Sequence, residues 1–219
     1  MKAIKLPIAG ESMVLDARRA LFWPERRWLM VADLHLGKAS LLRQAGAAIP
    51  RGTTTRDLAR LGALIDDYRP DRVIVLGDLI HGAERAAAPW LDTLGEWREQ
   101  HAAVELVLVA GNHDRHMPLA ALGFAIQNEI AAKPFLLRHA PDQASTLHVL
   151  GGHVHPGIVM RDGRTRLRLP AFWISANRSV LPAFGSLCGL APHGPDAADR
   201  VFAITPGGIV DLSGESRNT

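Results

Sequence analysis

Three short apolar runs constrain this chain most. They are Trp28-Leu29-Met30-Val31-Ala32, Arg72-Val73-Ile74-Val75-Leu76 and Glu105-Leu106-Val107-Leu108-Val109, and a polar cluster follows each at once. Runs of this length, bounded by turn signals, read as strands buried on both faces. Helical spacing fills the intervals. Leu58, Leu61, Leu64 and Ile65 share one face of a helix predicted over Thr53–Tyr68, which Arg69-Pro70 stops. Trp90, Leu91, Leu94 and Trp97 do the same over Pro89–Gln100. Strand alternating with helix predicts an α/β class with parallel crossovers.

The second half reads differently. Phe135–Leu137, Thr146–Leu150, Ile158–Arg161, Thr165–Leu169 and Val201–Thr205 are short strands with little helix between them. They predict a second, mixed sheet facing the first, with helices outside. No repeat or linker divides the 219 residues, so one domain is expected over residues 1–212, with 213–219 a disordered tail. Cys188 is the only cysteine, which excludes a disulfide-stapled scaffold. No apolar run reaches the roughly 18–20 residues of a membrane span, and Met1–Gly10 lacks a signal-peptide core. A reducing cytoplasm is the expectation. A net charge of +3 is too small to argue for nucleic acid by itself.

The polar clusters carry the chemistry. The first run ends in Asp33-Leu34-His35, the second in Gly77-Asp78-Leu79-Ile80-His81 and the third in Gly111-Asn112-His113-Asp114. Phe135–Arg138 ends in His139, and the strand through Leu150 ends in Gly151-Gly152-His153-Val154-His155. Strand ends form the ligand crevice of open α/β sheets, so all five clusters can converge. Asp, His and Asn are oxygen and nitrogen donors suited to Mn, Fe or Zn. The glycines before Asp78, Asn112 and His153 permit sharp turns that aim the next side chain.

These residues resemble the calcineurin-like metallophosphoesterases, whose pattern is Asp-x-His, Gly-Asp, Gly-Asn-His-Asp/Glu, a lone His and Gly-His-x-His. The five blocks stand here in the same order, from about Val31 to Pro156. The resemblance implies the family's four-layer α/β/β/α sandwich of two mixed sheets flanked by helices. It also implies two divalent metals bridged by Asp78, Mn first, with Fe or Zn as alternatives. Asp33, His35 and His155 would complete the first metal, and Asn112, His139 and His153 the second. His113 would act on the leaving oxygen or hold the phosphoryl group, and Asp114 would fix its tautomer. Gly77-Asp78-Leu79-Ile80-His81 is similar to the double-strand-break repair nucleases of this superfamily, where the extra histidine acts near the transferred phosphate.

Ala32–Lys38 and the late segment Asn177–Gly185 further resemble the bacterial ligase-associated DNA-damage-response endonucleases. That likeness implies DNA as substrate, with a ligase or helicase as partner, and the late segment as a loop over the metals. A phosphoesterase for nucleotides or another small phosphodiester is the alternative, and a non-catalytic scaffold of the same fold a minor one. His101, His116, His148 and His193 read as ordinary histidines, although His116 could line the pocket. Cys188 reads as a small buried residue. Arg164, Arg166 and Arg168 form a stripe on one strand face that suits either phosphate or open solvent. Arg18, Arg19, Arg26 and Arg27 carry the same ambiguity.

Overall fold

The computed structural model describes residues 1–81, 89–114, 119–162 and 165–213. The chain opens with a hairpin of β1 (Ala3–Ile8) and β2 (Glu11–Asp16). Its turn is Ala9-Gly10, both with positive φ, as the right-handed twist of a two-residue hairpin demands. Next come β3 (Ala20–Trp23), β4 (Trp28–Ala32), α1 (Lys38–Gln44), α2 (Thr53–Tyr68) and β5 (Arg72–Leu76). They are followed by α3 (Pro89–Gln100), β6 (Glu105–Val109) and β7 (Phe124–Gln127). The first sheet keeps chain order from β1 to β7, antiparallel through β4 and parallel thereafter.

The second sheet comprises β8 (Ile130–Ala132), β9 (Phe135–Leu137), β10 (His148–Gly151), β11 (Gly157–Asp162), β12 (Thr165–Ile174), β13 (Arg178–Val180), β14 (Arg200–Thr205) and β15 (Gly208–Asp211). Its order is β15-β14-β12-β13-β10-β9-β8, with β11 paired to β12. It mixes parallel β9, β10 and β13 with antiparallel neighbours, as expected.

Alternation assigns the two faces of the first sheet. Met30, Ile74 and Val107 point inward and meet Phe135, Leu150, Phe172 and Phe202 of the second sheet. Leu29, Val73 and Leu106 point outward beneath Leu58, Leu61, Trp90 and Trp97 of α2 and α3. The outer face of the second sheet is different. Among the described residues, Trp173, Val180 and Val201 are covered there by Ile158 and Met160 of β11 and by Ala191, rather than by a helix.

Asp16 ties the opening hairpin to α2. Its carboxylate accepts from the backbone and guanidinium of Arg18 and from the Tyr68 hydroxyl, at 2.8–2.9 Å. Burial alone would raise this carboxyl, but the Arg18 and Tyr68 hydrogen bonds outweigh it and hold the pKa below 3.8. A depressed folded-state pKa stabilises above the unfolded value and is lost as pH falls through the folded one. Asp16→Asn is therefore expected to cost about 2 kcal/mol at neutral pH, a cost that shrinks on acidification below pH 3.8. Urea melts at pH 7 and pH 3 check it; an equal loss at both would refute the account.

The ambiguous arginines near this hairpin resolve as structural. Arg18 also pairs with Asp67 and Arg27 with Asp71, Arg19 caps the carbonyls of Ala183 and Gly185, and Arg26 lies over Trp23 and Trp28.

Candidate metal centre

The ladder between β4 and β5 runs on past both strands. Asp33 N–H donates to Gly77 O at 3.2 Å, His35 N–H to Asp78 O at 2.9 Å, and His81 N–H to Leu36 O at 2.9 Å. The first two polar clusters are therefore held in register, although neither lies in regular structure. Asp33, His35, Asp78, His153 and His155 all have φ between 43° and 66°. They are five of the nine non-glycine residues with positive φ among those described. A left-handed backbone costs a side-chain-bearing residue about 1–3 kcal/mol and persists where its surroundings impose it. Only Gly77, of the three glycines singled out above, needs its own left-handed freedom, with φ 80°. Gly111 and Gly152 are required for space instead. A Cβ at Gly111 would strike Asp78, and one at Gly152 would lie 2.5 Å from Asp33 Oδ2.

Backbone amides aim the carboxylates. Asp33 Oδ2 accepts from His153 N–H at 2.8 Å, and Asp78 Oδ1 from His113 N–H at 3.1 Å. Asp33 Oδ1 is fully buried and has no hydrogen-bond partner. Burial, with the neighbouring charges of Asp78 and Asp114, pushes the Asp33 carboxyl well above the usual range. An orphaned buried carboxylate oxygen calls for a cation.

The imidazoles answer to backbone carbonyls. His139 Nδ1 lies 3.3 Å from Leu76 O, and His155 Nδ1 lies 3.1 Å from Gly189 O. A proton held on Nδ1 leaves the Nε2 lone pair free, the usual arrangement behind a metal-binding histidine. His139 Nε2 then lies 3.6 Å from Asp78 Oδ2 and 3.0 Å from His153 Nδ1. His155 Nε2 lies 3.2 Å from His35 Nε2 and 3.8 Å from Asp33 Oδ2. Burial lowers the pKa of His139 and His155, and it lowers His35 to about 2, with His155 and Lys38 adding to the effect. The neutral forms are the ligating forms. Two donor groups, Asp33/His35/Asp78 and Asp78/His139/His153, keep their donor atoms within 4.8 Å of one another, and both contain Asp78. The residues thus fit a pair of metal ions.

The remaining sequence-predicted residues fall as follows. Asn112 is exposed at the end of β6, next to Gly111, whose missing side chain admits Asp78. The His113 ring is 44% exposed, with Nε2 4.0 Å from Asp78 Oδ2. His81 joins the cluster, its Nδ1 3.1 Å from His35 Nδ1 and its ring 4.8 Å from that of His113. Asp114 departs from expectation. Its buried carboxylate accepts from Gly111 N–H at 2.8 Å and Ile80 N–H at 3.2 Å, so it fastens the β6 exit to the β5 exit rather than holding the His113 ring.

The late segment is a strut, not a loop over the centre. Phe184 and Gly185 donate to the carbonyls of Ala32 and Asp33 at 2.7 and 3.1 Å, and Leu181 to Gly151 at 2.8 Å. Asp57 and Arg60 of α2 bind it in turn through Ser186 and Phe184. Apolar Leu181 and Phe184 carry no sequence signal of this. Cys188 carries none either. It lies half-buried with its Sγ within 4.8 Å of donor atoms of His35 and His155, and burial pushes the thiol up to about 12. Of the ordinary histidines, His148 bonds Ser179 and Ala176, His101 stacks on Trp97, and His193 is exposed near Trp173. His116 and Arg164 lie outside the described residues.

Residues 27–164, more than half of the chain, match the calcineurin-like phosphoesterase family. The chain belongs to that family. It is accordingly a metal-dependent phosphoesterase, a hydrolase. Among solved structures, this phosphoesterase is similar to the Pseudomonas putida nuclease MPE, with 37% identity and a TM-score of 0.84 over 96% of this chain and 100% of that one. A phosphoesterase from E. coli is more distant, at 16% identity and a TM-score of 0.40 over 82% of this chain and 88% of that one. A protein of unknown function from Aquifex aeolicus stands at 18% and 0.41, over 58% and 78%. The comparison with curated proteins finds no match. Among the described residues no helix is long and apolar enough to cross a membrane.

Proposed function

We propose that this phosphoesterase is a dinuclear-metal-dependent phosphodiesterase that cuts DNA, an endonuclease of DNA repair acting in the cytoplasm. The observation that carries the dinuclear reading is the sharing of Asp78 between two donor groups. The likeness to a nuclease along nearly the whole chain supports DNA as substrate. Asp33, His35, Asp78 and His155 would hold the first metal, and Asp78, Asn112, His139 and His153 the second, with manganese the best fit to these donors. Two divalent ions bound there would supply Lewis acidity and favour ionisation of water for attack on phosphorus.

The chain's own groups do the rest. Leu76 O and Gly189 O orient His139 and His155, and His81 contacts the outer nitrogen of His35. The backbone bond from His113 to Asp78 sets the His113 ring beside the carboxylate shared by the two donor groups, with its edge open to solvent. From there His113 donates to the leaving oxygen as the P–O bond breaks. One domain over residues 1–212 carries the activity. A ligase or helicase partner rests on the family resemblance alone.

The test is a Mn²⁺-dependent screen of single-stranded, nicked and duplex DNA beside bis(p-nitrophenyl) phosphate. Hydrolysis of the small diester with no cleavage of any DNA form would sink the nuclease half. Metal should also stabilise. At a hundredfold excess over Kd, Mn²⁺ adds about 2.7 kcal/mol, a rise of roughly 5–10 °C in Tm for a chain of this size, and EDTA removes it. A melt unmoved by either would refute the ligand assignment.

A further inference from the structure

A shallow cleft opens beside His35, lined by Lys38, Thr53, Thr54, Asp57 and Cys188 among others. Lys38 is half-buried at the start of α1, three residues past His35. Lys38 shares the lining of this cleft with His35 and with Cys188, which are far apart in the sequence. Yet among the described residues no carboxylate stands within ion-pair distance of it. Asp57, the acidic residue of the cleft, is taken up by Arg60 at 3.0 Å and by the backbone and hydroxyl of Ser186. An ammonium with no carboxylate partner can take an incoming anion as its counter-ion. The centre itself takes the scissile phosphate, so the anion that reaches Lys38 is a different one on the same substrate.

We propose that Lys38 is a substrate-binding residue that grips a phosphate adjacent to the scissile one, and that the Lys38 cleft makes this enzyme prefer a polynucleotide over an isolated diester. The proposal rests on the phosphodiesterase reading above. The ammonium suits a phosphate oxygen as a compact point charge with three donors. Thr54 lines the same cleft with a hydroxyl. Leu187 and Cys188, which follow the strut, line the cleft too.

The experiment uses the full chain loaded with Mn²⁺. Binding of a cleavage-resistant phosphorothioate single strand is followed by fluorescence anisotropy from 0.05 to 0.3 M salt. Lys38→Ala is expected to weaken binding about tenfold and to flatten the slope of log K against log salt by about 0.7, the change for one phosphate no longer neutralised. Lys38→Arg is expected to recover most of both. Hydrolysis of bis(p-nitrophenyl) phosphate, which has no flanking phosphate, is measured in parallel. The ratio of kcat/KM on an oligonucleotide to kcat/KM on this ester should fall about tenfold in Lys38→Ala.

Affinity and slope equal to wild type would overturn the proposal. So would equal losses on both substrates that Lys38→Arg does not repair, since these indicate a structural role. A wild type that hydrolyses the ester but binds no strand overturns the Lys38 cleft and leaves the phosphodiesterase standing. A wild type that hydrolyses no diester overturns the phosphodiesterase reading itself.

Discussion

Asp78→Ala is expected to abolish hydrolysis while the protein stays folded. Asp78 is the carboxylate common to both donor groups, so on the proposed assignment its loss would strip a ligand from each metal at once. A metal pair contributes several kcal/mol of transition-state stabilisation, and each 1.36 kcal/mol is tenfold in rate, so the loss is about 10³-fold or more. Bound metal should fall from about two ions per chain to one or fewer. Within the fold, the Asp78 side chain accepts one backbone bond, from His113, so the metal-free variant should melt close to wild type. Elemental analysis and kcat/KM on one preparation decide it. Two bound ions and full activity in Asp78→Ala would end the bridging assignment.

His113→Ala is expected to lower kcat by about 10²–10⁴-fold, the range of a general acid or base, with the metals retained. The ring is 44% exposed and lies beside Asp78, so its removal leaves the donor groups intact. Leaving-group chemistry distinguishes its role. The sugar alkoxide of DNA needs a proton, whereas p-nitrophenolate leaves without one. The variant should thus lose far more on DNA than on bis(p-nitrophenyl) phosphate. Equal losses on both would assign His113 to holding the phosphoryl group instead. A fall in bound metal would make it a ligand.

The sequence exposes those parts of the molecule whose chemistry is local. Five strand exits are readable because an apolar run followed by Asp, His or Asn is visible within a few residues, and the structure brings four of the five together in candidate donor groups. β4, β5 and β6 fall where their apolar runs predict, as do α2 and α3. The opening hairpin is not legible. Its alternation of Leu6 and Ile8, then Met13 and Leu15, is short, Pro7 interrupts it, and the turn is Ala-Gly rather than Asn-Gly. β12 outruns its prediction, from Leu169 to Ile174, because Pro170 reads as a terminator yet sits opposite Gly157 in the ladder with β11.

Contacts distant in sequence are not legible either. The two carbonyls that orient His139 and His155 are backbone groups of Leu76 and Gly189, and any residue could supply them. Cys188 looks isolated because its histidine neighbours stand far away in sequence, at positions 35 and 155. Adjacency pairs Asp114 with His113, whereas the backbone at that turn points its carboxylate at Gly111 and Ile80.

The strut imposes an order of assembly. The donors are all present once residue 155 has been synthesised, but Phe184 and Gly185 must arrive before Ala32 and Asp33 are clamped at the exit of β4. Asp33 turns there with φ 50°, a conformation its own side chain opposes. On the ribosome, a chain that has emerged only through the phosphoesterase motifs therefore carries all its candidate ligands, with the β4 exit held by Gly77 and His153 but not yet by the strut. The bonds from Phe184 and Gly185 to the exit of β4 are therefore among the last that synthesis makes available to the centre.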